Sequence, residues 1–184
     1  MADVIVYKNE EIHPYIDEAA IKARVAELGA EISAIPETDE PMIFVCVLKG
    51  SFMFFSDLLK ATKRPCHTGF LAVSSYEGGT KSTGAVRLAL DLSEDISDRD
   101  VVIVEDIVDT GLTMDYLLNM LRARRPRSLR VCTLLHKPAR KKIDVPLDFI
   151  GFTIEDKFVV GYGLDYDQRY RDIPFIGVMR FRDA

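Results

Sequence analysis

Uninterrupted or nearly uninterrupted apolar runs occur along the chain at intervals that predict strands. Each run is too short for a helix and shows no polar alternation, which is typical of parallel strands covered on both faces. The clearest are residues 42–48, 101–104, 129–135 and 149–154. Weaker strand patterns occur at residues 70–74, 85–92 and 173–181.

Helical spacing of apolar residues occurs between these strands. Residues 17–34 place an apolar stripe on one face, with Asp17 as the capping residue, and the stripe consists of Ile21, Val25, Leu28 and Ile32. A second helix is predicted after residue 51 and a third from Met114. Alternation of strands and helices predicts an α/β fold with a central, mostly parallel sheet flanked by helices.

Length and composition indicate one domain spanning residues 1–184. The chain is 48% apolar and 29% charged, as in ordinary soluble proteins. No apolar run has membrane-spanning length and the N-terminus lacks signal-peptide features, so we expect a cytoplasmic protein without a membrane partner. The net charge of −5 argues against broad nucleic-acid binding. The widely separated cysteines do not indicate a zinc site or a disulfide framework.

Chemistry concentrates in residues 100–121, where an apolar strand runs directly into acids. Glu105 and Asp106 end the strand, and a polar turn then leads into a helix; the turn contains Asp109, Thr110, Gly111, Leu112 and Thr113. A helix that begins at the carboxyl end of a strand presents free N–H groups to an anion. The acids could accept hydrogen bonds from sugar hydroxyls or hold a divalent cation. Together these features favour a phosphorylated ribose, although solvated acids beside a simple helix cap would give a similar pattern.

The sequence VVIVEDIVDTGLT resembles the ribose-phosphate signature of the type I phosphoribosyltransferases. The resemblance implies that family's fold, with a core of about residues 15–155 and a small hood over the base site. The hood would comprise about residues 156–184 together with N-terminal residues. The resemblance also implies that residues 105, 106 and 109–113 bind the phosphoribosyl group, with Asp109 as general base for the purine N7 proton.

Two further loops resemble parts of the same family. LKGS at the end of the strand 42–48 is similar to a pyrophosphate loop, which implies diphosphate binding by Lys49 and Gly50 after a cis peptide bond. Residues 74–84, SSYEGGTKSTG, resemble the serine–tyrosine flap, which implies a lid formed by Ser75 and Tyr76. A loose hairpin tip is the alternative for that segment.

The C-terminal part narrows the resemblance to the hypoxanthine-guanine phosphoribosyltransferases. DKFVVGYGLDY resembles their base-binding hood, which implies stacking on Phe158, backbone recognition near Val159 and a metal-binding carboxylate at Asp165. The resemblance further places Lys137 at the purine 6-oxo group and Arg171 at the diphosphate.

The resemblance as a whole implies a purine salvage enzyme. It would transfer a phosphoribosyl group from 5-phospho-α-D-ribose 1-diphosphate to a 6-oxopurine, with Mg²⁺ held by Glu105, Asp106 and Asp165. A homodimer or homotetramer is implied by analogy alone. A non-catalytic regulator that binds the sugar diphosphate and a xanthine-preferring enzyme are the alternatives; Lys137 and the hood argue against adenine.

Overall fold

The structure is a computed structural model that describes residues 3–75 and 86–182. Its strands are β1 (Ile5–Tyr7), β2 (Glu10–Ile16), β3 (Met42–Leu48), β4 (Cys66–Ser75), β5 (Val86–Leu90), β6 (Asp100–Val108), β7 (Ser128–His136), β8 (Phe149–Thr153), β9 (Val159–Val160) and β10 (Ile176–Phe181). The helices are α1 (Glu18–Ser33), α2 (Phe52–Ala61) and α3 (Leu112–Arg122), and a short 3-10 helix spans Pro138–Arg140. Within these two stretches, no helix combines the length and apolarity needed to cross a membrane.

The larger sheet has six strands in the order β5, β4, β3, β6, β7, β8. Its strand pairs are parallel except for the antiparallel pair of β4 and β5. β3 and β6 occupy the centre, with Ile43 opposite Val101 and Cys46 opposite Val104. Adjacent parallel strands end at the same edge of the sheet, so the loops that follow β3 and β6 emerge side by side. The predicted α/β fold is confirmed.

Helices cover both faces of the central strands, which explains their unbroken apolar sequence. Phe44 and Val102 pack in one buried cluster with residues of α1 and α2. Ile43 and Ile103, one position away in each strand, pack in a second cluster with residues of α3. All four side chains are fully buried. Because both faces are apolar, the period-2 alternation of a half-exposed strand is absent.

α1 begins where its capping residue predicted. The Asp17 Oδ1 accepts a hydrogen bond from the N–H of Ala20 at 2.8 Å. The predicted apolar face is buried against α2 and the sheet. Beside this face, Arg24 donates to the carbonyl oxygen of Ile150 at 2.8 Å, which links the helix to β8.

A second sheet, in the order β1, β2, β10, β9, joins the two ends of the chain. All of its pairs are antiparallel, and they enclose a small core of Ile12, Val160, Ile173, Phe175 and Met179. The sequence pattern predicted the last strand, although it begins at Ile176 rather than at residue 173. β1 and β2 were not predicted because β2 carries charged residues and Pro14. Pro14 lies opposite Gly177, where the register shifts, a position at which a strand tolerates proline.

The first residue of β6, Asp100, has a buried carboxylate that forms hydrogen bonds with neighbouring segments. Asp100 accepts hydrogen bonds from Arg127 Nη2 at 2.7 Å and from Ser128 Oγ at 2.5 Å. The hydrogen bond from Arg127 holds the pKa of Asp100 below its usual value. A lowered pKa means that the stabilisation is present above the unfolded pKa of about 3.9 and is lost as the pH falls through the folded value.

We therefore expect Asp100→Asn to lower the free energy of unfolding by about 1–3 kcal/mol at pH 7, with the difference shrinking below about pH 4. Denaturant unfolding across this pH range measures it. Asp91→Asn is the matched control, because Asp91 also pairs with an arginine, Arg124, at 2.6 Å but at an exposed position, where such pairs contribute about 0–1 kcal/mol. Equal losses of unfolding free energy in both variants would contradict the stabilising role assigned to the buried Asp100 carboxylate.

Candidate active site

The turn between β6 and α3 forms a small concave site at the edge of the sheet. Gly111 adopts φ 82°, a left-handed conformation, immediately before α3. A Cβ at this position would collide with the carbonyl oxygen of Ile143. The carbonyl of Thr110 accepts hydrogen bonds from the N–H groups of Lys142 and Ile143 at 2.9 and 3.1 Å. Residues 142 and 143 thus support the turn, and residues of the turn line a cavity of about 90 Å³.

The lining of this cavity contains most of the residues predicted to bind ribose phosphate: Glu105, Asp109, Thr110, Gly111 and Thr113. Leu112 is the first residue of α3, and its N–H donates to Thr110 Oγ1 at 3.4 Å. The first N–H groups of a helix have no acceptor within the helix and meet the positive end of its dipole. The part of the turn that lines the cavity is therefore suited to an anion the size of a phosphate.

Glu105 and Asp106 are adjacent carboxyl groups at the end of the buried strand. Burial and the neighbouring Asp106 charge raise the pKa of Glu105 well above its ordinary value. Burial also raises the pKa of Asp106, although hydrogen bonds to its carboxylate and the charge of Arg171 act in the opposite direction. Glu105 Oε2 is buried and has no hydrogen-bond partner among the described residues. A hydroxyl group or a cation would satisfy it.

The loop after β3 lies directly against this acidic pair. A Cβ on Gly50 would overlap the Asp106 carboxylate, so only glycine fits there. A Cβ on Gly163, at φ 99°, would collide with the carbonyl oxygen of Gly50. Three segments distant in sequence, around Gly50, Asp106 and Gly163, are therefore in contact with one another. The peptide bond between Leu48 and Lys49 is cis, as the resemblance implied.

Two cations, Arg171 and Lys49, lie near this contact. Arg171 donates to the Gly163 carbonyl at 2.8 Å and pairs with Asp165 at 2.8 Å. Lys49 Nζ donates to Gln168 Oε1 at 3.2 Å, and Arg171 donates to the same oxygen at 3.2 Å. Lys49 and Arg171, two of the three residues predicted to bind diphosphate, are thus brought together through Gln168, which no sequence pattern had indicated.

Lys137 and Phe158 lie together at the entrance to the hood. The N–H of Lys137 donates to the carbonyl of Val108 at 2.9 Å, which places this residue beside the turn between β6 and α3, called the phosphate loop below. Its buried ammonium donates to the carbonyl of Lys157 at 2.8 Å and lies 3.6 Å from Asp156. Phe158 is 53% exposed and its ring contacts that of Tyr166, whereas Val159 is buried and pairs with Val178.

Asp109 lies in the phosphate loop beside Arg140, a cation that no sequence pattern indicated. Its Oδ2 is 3.4 Å from Arg140 Nη1. Its Oδ1 is buried and has no hydrogen-bond partner within residues 3–75 and 86–182. One oxygen is therefore paired with a cation, and the other is left without a hydrogen-bond partner. Arg140 belongs to a basic run, RKK, whose composition alone gives no sign of this contact.

The three carboxylates predicted to bind metal do not form one cluster. Asp165 pairs with Arg171, and the described part of the chain contains no group of three or more histidine, cysteine or acidic residues arranged for a metal ion. Mg²⁺ is commonly held by one or two carboxylates together with substrate phosphates. Glu105 and Asp106 fit that mode. Ser75 is the last residue of β4, and Tyr76, the other predicted lid residue, lies outside the described residues.

Comparison with known proteins identifies relatives over most of the chain. The family described as the phosphoribosyl transferase domain matches residues 15–167. Hypoxanthine phosphoribosyltransferase of Salmonella typhimurium is 48% identical over 163 residues, which cover 88% of this chain and 92% of that protein. Hypoxanthine-guanine phosphoribosyltransferase of Mycobacterium avium is 51% identical over 164 residues, which cover 86% of this chain and 81% of that protein.

Solved structures give the same result. A hypoxanthine phosphoribosyltransferase from Staphylococcus aureus has a TM-score of 0.85 at 42% identity and covers 91% of each chain. A hypoxanthine-guanine phosphoribosyltransferase from Bacillus anthracis has a TM-score of 0.84 at 39% identity and covers 90% of this chain and 96% of its own. The chain belongs to the phosphoribosyltransferase family. Within it, the relatives group this chain with the hypoxanthine and hypoxanthine-guanine phosphoribosyltransferases.

The shape of the phosphate loop predicts a strong effect of Gly111→Ala. The substitution forces a side chain into a left-handed backbone and against the carbonyl of Ile143. We expect a loss of about 1–3 kcal/mol in stability and at least about tenfold weaker binding of the sugar diphosphate. Thermal unfolding and isothermal titration calorimetry measure these quantities. Unchanged affinity would mean that the loop does not hold the phosphate.

Proposed function

We propose that this chain catalyses a purine salvage reaction. It transfers the 5-phosphoribosyl group of 5-phospho-α-D-ribose 1-diphosphate to N9 of hypoxanthine or guanine and releases IMP or GMP and diphosphate. The observation that carries the proposal is the meeting of three segments: the phosphate loop, the Lys49–Gly50 loop and the hood. Close similarity to enzymes named for this activity supports it.

In this proposal the phosphate loop binds the 5-phosphate. The N–H groups at the start of α3 and the hydroxyls of Thr110 and Thr113 donate to its oxygens. Glu105 and Asp106 accept hydrogen bonds from the ribose hydroxyls or hold Mg²⁺, which the family generally uses. Bound with the diphosphate, Mg²⁺ supplies positive charge that offsets the negative charge growing on the leaving group. Lys49, Gly50 and Arg171 bind the diphosphate oxygens, and Asp165, the third predicted metal ligand, pairs with Arg171 in the free protein.

The purine lies between the phosphate loop and the hood. Its ring stacks on the exposed face of Phe158, and the backbone near Val159 reads its edge. Lys137 donates to the 6-oxo group, which adenine lacks. Asp109 removes the N7 proton, and its Oδ2 faces Arg140. Positioning of the reactants and stabilisation of the cationic ribose carry more of the acceleration than this proton transfer does.

We also propose a domain organisation, a lid, a cellular location and an oligomeric state. Residues 1–184 form one domain, and Ser75 and Tyr76 form a lid that excludes water from the reacting ribose. The protein is a cytoplasmic homodimer or homotetramer without a nucleic-acid partner. Light scattering coupled to size-exclusion chromatography counts the subunits.

A spectrophotometric assay tests the activity directly. Hypoxanthine, guanine, xanthine and adenine are each incubated with the sugar diphosphate and Mg²⁺, and a parallel series contains a chelator. We expect turnover with hypoxanthine or guanine, loss of turnover with the chelator, and little reaction of adenine. Binding of the sugar diphosphate without turnover of any purine would instead indicate a non-catalytic regulator.

Asp109→Asn tests the general base. We expect kcat to fall by about 100-fold or more, with KM values little changed, because a carboxamide cannot accept the N7 proton. Asp144→Asn is the control, since Asp144 lies nearby in sequence but is exposed and pairs with Lys141. Unchanged turnover across the pH range would remove Asp109 from the mechanism.

Lys137→Met tests purine selection. We expect the preference for guanine over adenine, measured as the ratio of kcat/KM values, to fall by about 10- to 100-fold, because the donor to the 6-oxo group is gone. Lys141→Met removes a lysine of the same chain segment whose ammonium pairs with Asp144 at the surface. A preference that survives in the Lys137 variant would contradict the assignment.

A further inference from the structure

Glu10 is a buried carboxylate that the proposed reaction does not use. It is the first residue of β2 and is 6% exposed. Both of its oxygens are occupied: Oε1 accepts a hydrogen bond from Arg169 Nη2 at 2.9 Å, and Oε2 accepts one from the hydroxyl of Tyr170. The N-terminal strands are therefore joined to the segment 167–171 near the other end of the chain.

The segment 167–171 has a backbone that needs external support. Asp167, Gln168 and Tyr170 have φ values of 51°, 62° and 74°. Residues with a Cβ disfavour this left-handed region, and three of them within four positions hold the conformation only when surrounding contacts impose it. Hydrogen bonds between the backbones of Tyr166 and Arg169 close the turn locally. Glu10 adds a contact from a different element of the fold.

The same segment carries the contacts that arrange the diphosphate side of the site. Gln168 Oε1 accepts hydrogen bonds from both Lys49 and Arg171. The N–H of Gln168 donates to Asp165 at 2.8 Å, and Asp165 in turn pairs with Arg171. The positions of both cations therefore depend on the shape of this segment. Lys137 and Phe158, proposed to bind the purine, lie outside it.

We propose that Glu10 is a positioning residue for the diphosphate half of the site, an inference that rests on the proposed function. By fixing Arg169 and Tyr170, it holds the backbone that presents Gln168 and Arg171 before the ligand arrives. Without this anchor, the sugar diphosphate must order the segment as it binds, and that cost weakens its affinity. Purine binding does not use these cations, and we expect it to change much less, although Phe158 contacts the ring of Tyr166 and Arg169 lies over that ring.

Steady-state kinetics of Glu10→Gln and Tyr170→Phe test the inference. We expect KM for the sugar diphosphate to rise by about tenfold, with kcat and the purine KM within about twofold of wild type. Glu11→Gln is the matched control. It removes the same charge from the next residue of β2, whose partners are His13 and Arg182 rather than the segment 167–171. We expect its KM values to stay at wild-type levels.

The outcomes separate this role from mere stabilisation. A lower melting temperature for Glu10→Gln with both KM values unchanged would overturn the proposal. If Glu10→Gln does not fold, Tyr170→Phe, which removes one hydroxyl, provides the same test. If the wild-type protein shows no transfer, the proposed function fails, and titration of each variant with the sugar diphosphate still decides the role of Glu10. An approximately tenfold weaker binding supports it, and equal binding contradicts it.

Discussion

The site depends on two carboxyl groups that are buried side by side at the end of a central strand. Removal from water disfavours their charged forms, and the pKa of Glu105 and that of Asp106 rise accordingly. The approach of the Gly50 backbone to Asp106 leaves no room for a side chain there. Such a pair is unfavourable in the free protein and becomes favourable when a cation or ribose hydroxyls bind. The acids thus make the empty site a receptor for polar ligands.

The parallel sheet determines which groups surround this pair. β3 and β6 run in the same direction and end at the same edge, so the Lys49–Gly50 loop and the phosphate loop come together without a long connection. α3 then directs its N-terminus toward the same edge. Phe158 immediately precedes β9 of the β1–β2–β10–β9 sheet, and Arg171 lies between β9 and β10. The end of β6, the turn after it and the start of α3 therefore form a floor of the site, and residues of the C-terminal part lie beside it.

Much of the floor could be predicted from the sequence, because its groups follow one another along one strand, one turn and one helix. Strands covered on both faces are recognisable as continuous apolar runs, and β6 belongs to this class. The hood was predicted less well: Pro14 and the charges of β2 conceal a strand that forms only when β10 pairs with it. Gln168 and Arg140 escaped prediction because their partners, Lys49 and Asp109, lie in other segments. Asp165 was grouped with the other acids, whereas the fold places it against an arginine.

The cations of the site are already bonded within the free protein, and these bonds set their positions before a ligand binds. Lys49 donates to Gln168, Arg171 pairs with Asp165, and Arg140 lies beside Asp109. Lysine carries three N–H donors and arginine five, so a diphosphate bound as proposed above can add contacts while the internal ones persist. Cations held in place lose little side-chain freedom when a ligand arrives, which reduces the cost of binding. In the proposed reaction, affinity then depends on how well the diphosphate matches cation positions that the protein has set in advance.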